Sequence, residues 1–148
     1  MIYTPMTKKA MKLCFAAPKE QVDKSGLPYV FHPFHLAEQM EDEDTTIVAL
    51  LHDVVEDTEV TFADLAQMGF SRQVIGAIRA MTRPEGVPYM EYVARIKENP
   101  IARKVKLADL GHNSDLSRLD QVDERDLARA EKYRAAMELL ETAGETRG

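Results

Sequence analysis

The chain is short of cysteine and of positive charge, and each shortage closes off a class of protein. Cys14 is the only cysteine among 148 residues, so no disulfide forms within the chain, and a buried thiol in a reducing cytoplasm is expected. Against 25 Asp and Glu stand 19 Lys and Arg, leaving a net charge of −6. That balance lacks the basic footprint needed to hold nucleic-acid polymers or anionic membrane surfaces, and neither is expected as a partner. No apolar run reaches the roughly 18 residues of a membrane span, and Lys12 interrupts the N-terminal apolar stretch before signal-peptide length. Export and membrane insertion are therefore not expected. Internal repeats, Gly-rich phosphate loops and Ser-centred nucleophile motifs are missing. Sustained alternation and hairpin turn pairs are missing too, which predicts an all-α helical bundle. With 45% hydrophobic residues, one domain over residues 1–148 is expected, its core at about 5–143 and a frayed tail at 144–148.

What the chain does have is concentrated in Leu50-Leu51-His52-Asp53-Val54-Val55-Glu56-Asp57-Thr58. Asp44 is a suitable N-cap, and the apolar run from Ile47 to Val55 predicts one continuous helix ending at the Asp57-Thr58 break. At about 100° per residue, His52, Glu56, Asp53 and Asp57 project at about 0°, 40°, 100° and 140°, leaving the other arc for the core. No Lys or Arg lies between Asp44 and Asp57 to balance these carboxylates, and they oppose the helix dipole where they stand. Imidazole with carboxylate oxygen suits a borderline or hard divalent ion such as manganese, iron, zinc or magnesium. The bland alternative is an acidic helix end facing water.

Other helices are predicted from Thr4-Pro5 to Pro18, from His32-Pro33 to Met40, from Thr61 to Gly69 with a capping box ending in Asp64, and from the Ser71 cap to Met81. Further helices run from Tyr89 to Ile96, from Pro100 through Leu116, and from Glu124 to Leu140. Lys24-Ser25-Gly26 is the turn of a long polar loop. His32, at a helix mouth, is by itself more often a cap than a ligand. Asp109, between Leu107, Ala108 and Leu110, is a carboxylate that needs a cation if buried: a metal, or Lys106 one turn before it.

With His32, His52-Asp53 and Asp109 on three successive helices, the chain resembles the HD-domain metal-dependent phosphohydrolases. More narrowly, Lys24-Ser25-Gly26 with Pro28-Tyr29, His32-Pro33, Ala49 to Thr58 and Val105-Lys106-Leu107-Ala108-Asp109 look like the hydrolase domain of RelA/SpoT-type alarmone enzymes, in a small form without a synthetase domain. That family removes the 3′-pyrophosphate of guanosine tetra- and pentaphosphate, usually with manganese. The resemblance implies His32, His52, Asp53 and Asp109 as metal ligands and Glu56 and Asp57 as the catalytic acidic pair. It further implies Lys24, Ser25 and Asn113 as substrate contacts, while His35 and His112 match no ligand. The chain departs from the pattern at Asp23, Leu110 and Asp115, where relatives often carry arginine.

Those departures leave two other readings beside alarmone hydrolysis. One is an HD-type nucleotide monophosphatase, which needs fewer substrate cations. The other is a catalytically silent nucleotide-binding module, which has no chemical use for four ligands and an acidic pair.

Overall fold

A computed structural model describes residues 1–16 and 25–145, with side chains through Thr142. Among the described residues the regular structure is helical, with no sheet. α1 (Pro5–Ala16), α2 (Phe31–Glu38) and α3 (Glu43–Leu51) are followed by the single turn α4 (Val54–Asp57). Then come α5 (Phe62–Gln67), α6 (Arg72–Ala80), α7 (Tyr89–Ile96), α8 (Pro100–Asn113), a 3-10 turn at Leu116–Arg118, and α9 (Glu124–Glu145).

α3 is the central element. Every residue from Thr45 to Leu51 is buried, and α1, α2, α6 and α8 pack around it, with α9 covering α7 and α8 from outside. An all-round buried helix has no polar face to orient it, so its ends carry the polar bonds. The cap is Asp42, two residues before the expected Asp44: its carboxylate accepts from the Thr45 amide at 2.8 Å and the Thr45 hydroxyl at 2.7 Å. Glu43 and Asp44 then occupy the first turn, where negative charge meets the positive end of the dipole.

Several predicted ends hold. The Thr61–Asp64 capping box is closed in both directions, at 2.9 and 3.1 Å, Ser71 caps α6 through Val74, and α7 spans Tyr89–Ile96. Asn99 caps α8, with Pro100 in its first turn. Gly69, at φ +95°, ends the α5 segment in the left-handed conformation.

Three expectations are corrected. The helix from Asp44 to Asp57 is not continuous, because α3 stops at Leu51 and α4 restarts at Val54, with Asp53 at φ −104°, ψ −1° between them. α8 ends at Asn113 rather than Leu116, because the Asp115 carboxylate accepts from the Ser117 amide at 3.0 Å and draws the backbone into a separate turn. α9 passes Leu140 and runs to Glu145, since extending an existing helix needs no new nucleus. The expected turn residue Lys24 lies outside the described residues.

Candidate metal centre

The interruption of α3 builds the site. Ending a helix leaves carbonyls without amide partners, and the Ala49 carbonyl is met instead by the His52 ring, with Nδ1 at 2.7 Å. Nδ1 is thereby the donor, and in the neutral ring Nε2 carries the lone pair. His52 is 2% exposed, and its Nε2 has no hydrogen-bond partner although it is fully shielded from water. A continuous helix would have had no open carbonyl there to hold the ring.

Around that orphaned nitrogen three carboxylate or imidazole groups converge. Asp53 Oδ2 lies 3.1 Å away and Asp109 Oδ1 3.6 Å away, and His32 Nε2 lies 2.8 Å from the same Asp109 oxygen. His32, His52 and Asp109 are all buried and offer ligand atoms within 4.8 Å of one another. Burial disfavours a proton on His52, but the Asp53 and Asp109 carboxylates outweigh it and raise its pKa well above the ordinary histidine value. The field at Nε2 therefore favours a cation. A divalent ion with nitrogen and oxygen ligands fits an orphaned imidazole nitrogen facing two carboxylates.

The two oxygens of Asp109 have different surroundings. Its Oδ2 accepts from Lys106 at 2.9 Å, while Oδ1 faces the histidines and accepts from the Asn113 amide at 3.0 Å. Burial opposes ionisation of Asp109, yet Lys106 above all, then His32 and His52, hold its carboxyl well below the usual range. Desolvation also opposes ionisation of the half-buried Asp53, but His52 and a hydrogen bond from the Tyr29 hydroxyl keep it at about 2. Tyr29 stood in the sequence pattern without a role.

Glu56 and Asp57 lie on α4, one turn beyond the centre, and are more open to solvent. The Arg83 amide donates to Glu56 Oε1 at 2.7 Å, so the loop after α6 holds this side chain in place. Burial and the neighbouring Asp53 charge raise both carboxyls above their ordinary values, against the opposing pull of the Arg83 amide on Glu56 and of Tyr29 on Asp57.

A cleft of about 290 Å³ opens from His32, Asp53 and Asn113 toward Arg118, Arg129 and Tyr133. Ser25 is half-buried and is not among its walls. The two arginines were missed in the sequence, and Tyr133 was read only as a packing residue of the last helix. Arg118 lies in the turn after α8, and the placement of Arg129 and Tyr133 depends on how α9 crosses α8, for which the local sequence carries no signal. Leu110, at one of the positions where relatives often have arginine, is 1% exposed and part of the core.

No family model matches the chain. It is 37% identical over 120 residues to the mouse (Mus musculus) guanosine-3′,5′-bis(diphosphate) 3′-pyrophosphohydrolase MESH1, covering 70% of this chain and 66% of that protein. It is 32% identical over 114 residues to the Escherichia coli K12 bifunctional (p)ppGpp synthase/hydrolase SpoT, covering 66% of this chain and 16% of that one. A 3′-pyrophosphohydrolase of Aquifex aeolicus is 31% identical over 102 residues, 61% of this chain and 14% of the relative. The chain thus matches about a seventh of the length of these bacterial relatives. In fold it matches a solved structure described as a metazoan ortholog of SpoT that hydrolyzes ppGpp, with a TM-score of 0.70, 24% identity, and coverage of 100% of this chain and 98% of that one. By sequence and fold together, the chain belongs to the SpoT and MESH1 family of hydrolase domains.

Proposed function

We propose that this chain is a metal-dependent phosphohydrolase acting on a small nucleotide, with guanosine 3′,5′-bis(diphosphate) as the leading substrate and its 3′-pyrophosphate as the leaving group. The observation that carries the reading is the shielded, unpartnered Nε2 of His52 facing Asp53, Asp109 and His32. A buried polar atom without a partner costs about 1–3 kcal/mol, which a bound cation would offset.

His32, His52, Asp53 and Asp109 would hold one divalent ion, manganese by family resemblance. When bound, that ion supplies Lewis acidity toward a phosphoryl oxygen and lowers the pKa of water. Glu56 and Asp57 orient the attacking water and take its proton at a carboxylate oxygen. Glu56 Oε1 is held by the Arg83 amide, and the raised pKa of the pair makes each carboxylate a stronger base than an ordinary one. Asn113 keeps one amide hydrogen for a ligand in the cleft while donating the other to Asp109. Arg118 and Arg129 are the cations that meet phosphate oxygens at the outer end, in place of those missing at Asp23, Leu110 and Asp115. Lys24 and Ser25 complete the substrate contacts in this reading.

A monophosphatase is the second reading, because the outer wall is charge-balanced. Arg129 is paired with Asp126 at 2.7 Å, and Asp115 faces the same cleft as Arg118. A nucleotide with fewer phosphates suits that balance better. The single-domain extent, the cytoplasmic location and the absence of polymer partners remain part of the proposal. Among the described residues no helix is long and apolar enough to cross a membrane.

The deciding experiment incubates manganese-loaded protein with a nucleotide panel that includes the bis(diphosphate) and simple monophosphates, and identifies the products. Release of pyrophosphate from the 3′ position supports the leading reading, and orthophosphate from monophosphates alone supports the second. Binding without turnover of any nucleotide would leave the silent module as the better account.

A further inference from the structure

His112, on α8, has no part in the roles above, yet it touches His32 on the side away from the centre. Nδ1 of each ring lies 2.7 Å from Nδ1 of the other. The rings are within 12° of coplanar, and their centroids are 5.0 Å apart. That separation is the nitrogen-to-nitrogen distance plus a ring radius on each side, so the contact runs edge to edge in the plane of both rings. This is the direction of an imidazole N–H and of an imidazole lone pair.

Two nitrogens placed in this way must share one proton, since two protons would collide and two lone pairs would repel. A histidine that offers Nε2 to a divalent ion keeps its proton on Nδ1. His32 is 4% exposed, and a buried N–H requires an acceptor. The His112 Nδ1 lone pair meets that requirement when the proton of His112 sits on Nε2.

We propose that His112 is the positioning residue of the metal centre: its Nδ1 accepts the His32 Nδ1–H, and so sets the tautomer and ring orientation in which His32 presents Nε2 to the ion. The inference rests on the metal centre proposed above. It gives the two ligand histidines parallel supports, with the far nitrogen of His52 held by a backbone carbonyl and that of His32 by a side chain. Only the second support is removable by substitution. His112 is itself held in place, because the His35 ring packs against it at 4.2 Å between centroids and Arg118 donates to its backbone carbonyl at 2.8 Å.

The test uses zinc, a diamagnetic ion, titrated in competition with a chromophoric chelator into the parent protein, His112→Leu and His112→Gln. The leucine variant has no acceptor, whereas the glutamine side-chain oxygen replaces one. Zinc affinity is expected to fall about 10- to 100-fold in His112→Leu, the usual scale for a lost partner of a ligand histidine, and to be largely restored in His112→Gln. Long-range proton–nitrogen spectra of the zinc-loaded parent should place the His32 proton on Nδ1 and the His112 proton on Nε2. Zinc affinity in His112→Leu equal to that of the parent would overturn the proposal. So would equal losses in the two variants, the mark of a merely structural role. If circular dichroism shows His112→Leu to be unfolded, the parent's spectra decide, and a His112 proton on Nδ1 refutes the proposal. A parent that takes up no zinc refutes the metal centre, and this inference with it. A parent that binds zinc no better than a folded His112→Leu refutes this inference alone.

Discussion

The inner and outer ends of the cleft are built on different physics. At the inner end His32, His52 and Asp109 are each at 5% exposure or less, and each meets an oppositely charged or polarised group of the site. At the outer end Arg118, Arg129, Asp115 and Asp126 stand nearer to solvent, where ion pairs such as Arg129–Asp126 contribute about 1 kcal/mol or less. The inner groups cannot move without leaving a buried charge unpaired. The outer ones can exchange a protein partner for a ligand at little cost. Chemistry is therefore expected to be rigidly specified at one end and substrate choice to be adjustable at the other.

The largest expected effect comes from emptying the inner end. His52→Ala combined with Asp53→Ala should take bound metal from about one ion per chain to none and abolish turnover. Elemental analysis after dialysis measures this, and full occupancy in the double variant would mean that the ion sits elsewhere.

Next in size is the acidic pair on α4. Glu56→Gln with Asp57→Asn keeps shape but removes basicity, so metal content should survive while kcat falls by a factor on the order of 10² or more. A double variant that turns over at the parent rate with metal bound would show that the mechanism is wrong. The pH profile of the parent gives a separate check. A base works only when deprotonated, and both carboxyls are raised by burial and by Asp53. At saturating metal, activity should therefore rise with pH through a limb above the ordinary carboxylate values of about 4. A limb at or below those values would exclude both residues as the base.

Smaller effects belong to the outer end. Arg129→Ala should raise KM roughly tenfold with little change in kcat, as expected for a charge-assisted phosphate contact that is present before and during the reaction. A fall in kcat with KM unchanged would move Arg129 into the chemistry and erase the contrast between the ends. Lys24→Ala, at a substrate contact implied by the family resemblance, should act on KM by less again, since an ammonium on a flexible stem is a less directional contact than a guanidinium. Parent kinetics with every hydrolysed substrate would return Lys24 to an ordinary turn residue.

Legibility in the sequence follows the same division. The short helices α5 and α6 are readable because Thr61, Asp64 and Ser71 act on amides within a few residues of themselves. The interruption after Leu51 was not, because the apolar residues continue across it and only the ring of His52, folded back onto Ala49, supplies the alternative bond. Nor could local pattern separate Asp42 from Asp44 as the cap, since both are good acceptors.

The sequence by itself determined the class of fold, the caps of α5 and α6, the buried thiol at Cys14 and the residue types able to hold a divalent ion, because each follows from local spacing or from side-chain chemistry. Tertiary structure alone decided that Asp109 faces two histidines from other helices while Lys106 neutralises its second oxygen. It also decided that α9 brings Arg129 and Tyr133 to the mouth of the cleft, and that His112 meets His32 across 80 residues of chain. These contacts depend on the angles at which buried helices pack, which are set by the whole core at once and not by any stretch of it.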